Sequence, residues 1–473
     1  MRSKITRLLI GLSMFIVVAT LIYNLSDYNK SYQVAAFKWG PLSINDFNGD
    51  GIDEVIGTIG TAGLPIKYDL SNLGLKDLSV RDIRFADFNN DGLLDAISNV
   101  YSEPATPDGT YDKFIQLYWG VGGNKFELDT NFSKNKFTGF GETIVVADLN
   151  NNGLLDILIP QYKIAGSKNP YSRNLLLKNN GNKLFTEVAV DAGVTETLFS
   201  KQPEGGQALD INRDGFIDLY VGGSLLLNNG DFTFKDITKS VGLTGQLDEG
   251  AKFFDFDLDG DLDFIYNPAF YKPILFINKS LKFKGIKGDF FPNPGETFDS
   301  SFGLNLGDIN HDGYEDLLLA GGKDSNGENL APRLYVNKKG RSFKRQRLTT
   351  DGGGWSDLVS FGDLNNDGGI DLVVRYGGIK VFINDDLPDN YIKLTVLGNG
   401  HKNQHGRVVV AKLSRSKSKA MVIDGGSGYM SNQPYSLIIP NDDYREITFD
   451  IYCADKVIKF GAISGNIIKD CMQ

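Results

Sequence analysis

Short apolar runs alternate with polar turn clusters along almost the whole chain. TIVVAD (143–148), KFFDFD (252–257), DLYVGG (218–223) and DLLLAGG (316–322) are each four to seven residues of strand-forming composition bounded by Gly, Asn or Asp. Runs of this length and makeup predict strands rather than helices. A second set ends in Asn-Asn-Gly or a relative of it: NLLLKNNGN (174–182), SLLLNNGD (224–231), RLYVNKKG (333–340) and KVFINDD (380–386). Further strands follow the turn, as in LFTEVAV (184–190) and FTFKDIT (232–238). Asn-Gly is the strongest short hairpin signal.

Between the first and second strand of each set lies the same nine-residue loop. DFNGDGIDE starts at Asp46, DFNNDGLLD at Asp87, DLNNNGLLD at Asp148 and DINRDGFID at Asp210. DFDLDGDLD starts at Asp255, DINHDGYED at Asp308 and DLNNDGGID at Asp363. Seven copies at spacings of 41, 61, 62, 45, 53 and 55 indicate a stacked or radial repeat. Four strands per copy predict an all-β fold, a seven-bladed β-propeller over 31–389. The seventh copy runs short of a fourth strand, and YQVAAFKW (32–39), ahead of the first loop, is expected to supply it.

The loop spacing carries chemistry. Oxygen side chains at positions 1, 3 and 5 converge when Gly at position 6 turns the backbone, and the carboxylate at position 9 can close the shell. The expected ligands are Asp46, Asn48, Asp50 and Glu54; Asp87, Asn89, Asp91 and Asp95; Asp148, Asn150, Asn152 and Asp156; and Asp210, Asn212, Asp214 and Asp218. The last three sets are Asp255, Asp257, Asp259 and Asp263; Asp308, Asn310, Asp312 and Asp316; and Asp363, Asn365, Asp367 and Asp371. Hard oxygen donors in a flexible loop suit Ca²⁺, up to seven ions, and affinity should follow carboxylate count. The Asp148 loop, with two carboxylates, is then the weakest and the Asp255 loop, with four, the strongest. An EF-hand is excluded, because position 12 is Gly57, Ser98, Ile159, Val221, Tyr266, Leu319 or Val374 and never Glu. For a single copy, an Asx-rich turn without metal would be the simpler reading.

These loops with their NNG-x-x-F continuations resemble FG-GAP (VCBS) repeats, which build integrin-α-type propellers and bind Ca²⁺ in such loops. The segment 390–473 is similar to the ASPIC/UnbV domain, on the strength of YIKLTVLG (391–398), Asn403, HGRVVVAK (405–412) and GGSGYMSNQPYS (425–436). The family's usual Gly-Ala-Arg stands here as Gly406-Arg407-Val408. Read from its own residues, this segment is a small β domain.

The net charge of −10 changes meaning once the loops are found. They hold 21 of the 59 acidic residues, so the acidity counts metal ligands rather than an acidic docking face. Neither is there the basic face that nucleic acid requires. Near the N-terminus, Arg2, Lys4 and Arg7 precede an uncharged stretch of 19 residues from Leu8 to Ser26, about 28 Å as a helix. That predicts a signal anchor or signal peptide over 1–30 and an extracytoplasmic chain, either anchored in the membrane or secreted after cleavage. Cys453 and Cys471 would be allowed to pair in that compartment, with two free thiols as the other reading.

Recognition is expected at the end opposite the metal loops, where the connections between second and third strands are long. Tyr101, Tyr111, Tyr162, Tyr171, Phe270 and Tyr271 are candidates for stacking on a glycan or a protein, unless they only prop their loops. Glu142, Glu204, Glu249 and Trp355 should open onto the same end. The alternative function is a carboxylate-based polysaccharide lyase or glycosidase using those glutamates. His311, His401 and His405 read as solvated turn residues, and no catalytic residue is assigned.

Overall fold

The alternation becomes an all-β fold with many antiparallel sheets in a computed structural model of the protein. The structure describes residues 31–33, 42–45, 53–57, 68–69 and 73–75, and most of 80–471. Within that last span, 101–113, 163–173, 196–202, 244–247, 269–271, 292–301, 349–353 and 425–430 are the main segments outside it. The candidate signal segment, the first loop from Asp46 to Asp50, and Tyr101, Tyr111, Tyr171, Phe270 and Tyr271 all lie outside the described residues. Among the described residues, no helix is long and apolar enough to cross a membrane.

Five sheets follow one plan, with four sequential antiparallel strands. The third, for example, runs Val145–Ala147, Asp156–Ile159, Leu175–Asn179 and Phe185–Glu187. The second begins at Val80–Ala86, the fourth at Gly206–Leu209, the fifth at Asp248–Phe254 and the sixth at Leu304–Gly307. First strands of successive sheets lie side by side from the third to the seventh, whose first strand Val359–Gly362 lies against Leu42–Asn45 of the first. Sheets two and three are joined by a buried ion pair. Arg84 Nε donates to the Ile144 carbonyl (2.9 Å), and Ile144 N–H donates to Asp82 Oδ2 (3.0 Å). This is a propeller-like arrangement, with apolar clusters filling the space between neighbouring sheets.

The seventh sheet takes its fourth, outer strand from the start of the chain. Ser31–Gln33 pairs antiparallel with Ile379–Phe382, Ser31 opposite Phe382 and Gln33 opposite Lys380. The sequence pattern places this strand at 32–39, and residues 34–39 lie outside the described set. The first sheet departs from the antiparallel plan. Tyr68–Asp69 pairs parallel with Glu54–Gly57, and Ser431–Asn432, from the C-terminal segment, pairs parallel with the inner strand Leu42–Asn45. Residues 58–67, which join these two parallel strands, lie outside the described set.

Beyond residue 390 the chain forms two more sheets around their own core. Tyr391–Leu397 pairs with Leu437–Pro440 and Gly465–Asp470, while Val408–Lys412 lies between Ser418–Val422 and Ile447–Tyr452. Cys453 and Cys471 are disulfide-bonded within that core.

Candidate metal centre

Each described loop is built the same way, and loop two shows the plan. Asp87 Oδ1 accepts from Asp91 N–H (3.1 Å) and Oδ2 from Gly92 N–H (2.9 Å). Asn89 Oδ1 accepts from Asp91 N–H (2.9 Å), and Asp91 Oδ1 from Leu93 N–H (2.9 Å). Gly92 turns at φ 87°, as the repeat demands. Position 4 is also left-handed, a feature that the sequence pattern leaves unmarked: Asn90 at 58°, Asn151 at 57°, Arg213 at 59°, Leu258 at 62°, His311 at 58° and Asn366 at 57°. The turn aims this side chain at the next loop. Asn90 Nδ2 donates to the Gly153 carbonyl (2.8 Å), Asn151 Nδ2 to Gly215 (3.0 Å), and Arg213 to Gly260. His311 is therefore not simply solvated, since its Nε2 donates to the Asp386 carbonyl (2.6 Å).

Position 9 opens the second strand in every sheet of the ring. In the six loops whose side chains are described, its carboxylate bridges two backbone amides. Asp218 takes Ile211 N–H (3.0 Å) and Asn228 N–H (2.8 Å); Asp316 takes Ile309 and Asn337; Asp371 takes Leu364 and Asn384. Asp95, Asp156 and Asp263 do the same. The first Asn of the hairpin turn is a further member that motif reading misses. Asn228 Nδ2 reaches the Ile217 carbonyl of its own loop (3.0 Å) and the Leu149 carbonyl of the previous one (2.8 Å). Asn179, Asn337 and Asn384 likewise reach Phe88, Phe256 and Ile309. The signal for it is that Asn recurs at the end of a strand otherwise apolar.

Loop five differs from the others at position 3. Asp257 replaces Asn at position 3, and its buried Oδ1 has no hydrogen-bond partner among the described residues. Carboxylate oxygens of Asp255, Asp257 and Asp263 lie within 4.8 Å of one another. Three acids so placed, with an unsatisfied oxygen, fit a hard cation with several oxygen ligands. Asp255, Asp257, Asp259 and Asp263 would hold Ca²⁺ there. The ion would cancel their mutual repulsion.

The same electrostatic burden runs through the other described loops as well as loop five. Burial pushes Asp210 and Asp308 up to about 6, Asp95, Asp255 and Asp371 to about 7, and Asp156 and Asp263 to about 8. Asp218 and Asp316 are raised well above the carboxylate range for the same reason. In Asp308 the strongest opposing effect is the Lys419 ammonium, and in Asp363 it is Lys393.

Those lysines belong to the C-terminal sheets, which sit on the loop end of the ring. His405, read from sequence as a solvated turn residue, is buried at 6 % exposure beside Tyr435, because the turn is pressed between sheets three and four. Its Nδ1 donates to the Val146 carbonyl (3.2 Å). Burial pushes the imidazole down to about 4, against the pull of Asp424. A depressed histidine supports the fold above its unfolded value near 6.5, and that support is lost as pH falls towards 4. Relative to H405Q, the wild-type protein is expected to lose up to about 3 kcal/mol over that window. Parallel thermal melts from pH 7 to 4 that track each other would contradict this.

At the opposite end, Tyr162 is no stacking platform. It is buried at 6 % exposure because its hydroxyl donates to Glu204 Oε1 (2.7 Å). Glu142 pairs with Arg81 (3.0 Å), and Glu249 lies in the strand Asp248–Phe254 with its side chain outside the described set. The glutamates of the glycosidase alternative are thus engaged as struts where they are described. Trp355 is half-buried against Phe302 (5.0 Å), with Lys323 Nζ 5.3 Å above its ring.

The FG-GAP-like repeat family matches residues 87–159, 210–266 and 308–374, three segments that contain loops two, three, four, five, six and seven. Human cartilage acidic protein 1 is 23% identical over 450 residues, covering 82% of this chain and 65% of that protein. The mouse protein of that name is 24% identical over 371 residues, covering 70% and 54%. Among solved structures, YCF48 from Cyanidioschyzon merolae aligns at TM-score 0.40 and 13% identity, over 74% of this chain and 98% of that one. A Trypanosoma rangeli sialidase aligns at 0.36 and 11%, over 74% and 58%. The chain therefore carries FG-GAP-like repeats in three segments and is similar over most of its length to cartilage acidic protein 1.

Proposed function

We propose that the chain is an exported, calcium-stabilised, seven-bladed propeller that binds a protein or glycan ligand and does no chemistry on it. The domains are 1–30 as a signal anchor or signal peptide, 31–389 as the propeller and 390–473 as an ASPIC/UnbV-like β domain. The observation that carries the reading is the covering of the loop end by the C-terminal sheets. It leaves recognition to the end where second and third strands connect, and where Trp355 and Lys323 lie together. An aromatic face beside an ammonium suits a glycan hydroxyl face or an anionic side chain. The Cys453–Cys471 disulfide supports an extracytoplasmic setting, N-terminally anchored or secreted. Calcium in loop five is supported by the unsatisfied Asp257 oxygen.

A glycan array and a panel of exported proteins, probed with and without calcium, test the reading. Retention is expected to weaken on the order of tenfold in W355A, the usual scale for an aromatic anchor. Turnover of a polysaccharide, or retention untouched by W355A, would count against it.

A further inference from the structure

Three cationic side chains of the C-terminal unit come down on the loop end, each beside a different part of the ring, and the His401 imidazole lies 3.3 Å (Nδ1) from Asp87 Oδ2 in loop two. Arg407 spans loops three and four, with Nη2 donating to Asn151 Oδ1 and Nη1 to the Gly215 carbonyl, both at 2.6 Å. Lys419 Nζ is 3.9 Å from Glu315 in loop six, and Lys393 Nζ is 3.2 Å from Asn366 Oδ1 in loop seven. Lys393, Arg407 and Lys419 are buried. Loop five receives backbone instead, with Ala420 N–H donating to Asp255 Oδ2 (2.9 Å) and Ser418 N–H to the Leu258 carbonyl (3.0 Å). The loop with four carboxylates is thus the one to which this unit brings amides, and it is also the one with the unsatisfied Asp257 oxygen.

We propose that the C-terminal unit is a built-in counter-ion cap: Arg407, Lys419 and Lys393 neutralise the acidic loops three, four, six and seven, so that the demand for calcium falls most heavily on loop five. The inference rests on the calcium reading of the loops only for its last clause. Burying a lysine or arginine is costly unless a charge or good hydrogen bonds compensate it, so three buried cations aimed at acidic loops are unlike ordinary surface pairs. Positive charge held beside a loop also weakens its attraction for a dication, and among the described residues the C-terminal unit adds none to loop five, whose neighbour Arg213 comes from loop four.

The test is thermal unfolding of the full chain in EDTA and in excess Ca²⁺, comparing K419Q and K393Q with the charge-retaining K419R and K393R. The glutamine variants are expected to melt about 2–4 °C below wild type in EDTA, and the gap should narrow in calcium as the ion takes over the missing charge. The arginine variants should stay near wild type. If glutamine and arginine variants fall alike, the contacts are packing and the cap is overturned. A gap of the same size in both conditions, in a chain that otherwise responds to calcium, overturns it as well. A wild type indifferent to calcium, with the glutamine and arginine variants still separated, would remove the calcium reading while leaving these side chains as the loops' own counter-ions.

Discussion

Removing calcium with EDTA is expected to lower the melting temperature of the full chain, and to lower it more at pH 8 than at pH 5. An ion that binds only the folded state adds about 2.7 kcal/mol per site at a free concentration of 100 times its Kd. The pH dependence follows from the loops. Burial raises Asp255 to about 7 and Asp263 to about 8, so without metal the fold prefers them protonated. A carboxyl raised in the folded state favours folding below its unfolded value near 3.8, and this support is lost as pH climbs through 7 and 8. The metal-free chain therefore weakens over the window from pH 4 to 8, while bound calcium holds the same groups ionised and cancels the loss. D257N should remove most of the calcium response, because Asp257 brings the unsatisfied oxygen. Melting curves that coincide with and without EDTA at pH 8 would exclude the calcium role.

D218A is expected to destabilise the protein whether or not calcium is present, by roughly 2–5 kcal/mol. Asp218 is fully buried and accepts from Ile211 N–H and Asn228 N–H, and two buried amides would lose their partner at once. D259A makes the contrast. Asp259 at position 5 of loop five accepts from Asp261 N–H in an exposed turn, so its loss should show mainly in calcium. A position 9 variant and a position 5 variant then separate the strut from the ligand. Equal calcium dependence in both would mean that position 9 acts as a metal ligand before anything else.

Much of the ring is legible in the sequence because its determinants are local. Position 6 glycine, alternate oxygen side chains and an apolar run after position 9 all fall within a dozen residues, and they recur. Closure by Ser31–Gln33 can also be read, as a spare strand at one end facing a missing strand at the other. What escapes are contacts with no period. His401 meets Asp87 across 314 positions and His405 meets Val146 across 259, so nothing near His405 marks it for burial. The same holds for the cap as a whole. Lys393 and Lys419 lie on strands whose alternation reports only their own core, and the partners of the cap are loops scattered over the ring. Position 4 is an intermediate case, since Asn and His there tolerate the left-handed turn but Arg213 and Leu258 give no such sign.

Closure of the ring by its first strand also dictates an order of events. Ser31 and Phe382 are about 350 residues apart, so the seventh sheet cannot be completed until nearly the whole chain has been made. A chain that emerges N-terminus first carries an unpaired strand throughout synthesis, while the middle sheets, each built from neighbours in sequence, can form as they appear. The inner edge of the first sheet waits longer still, for Ser431–Asn432. Truncation anywhere before residue 380 would leave an open ring with a bare edge at each end, the kind of edge through which β proteins aggregate.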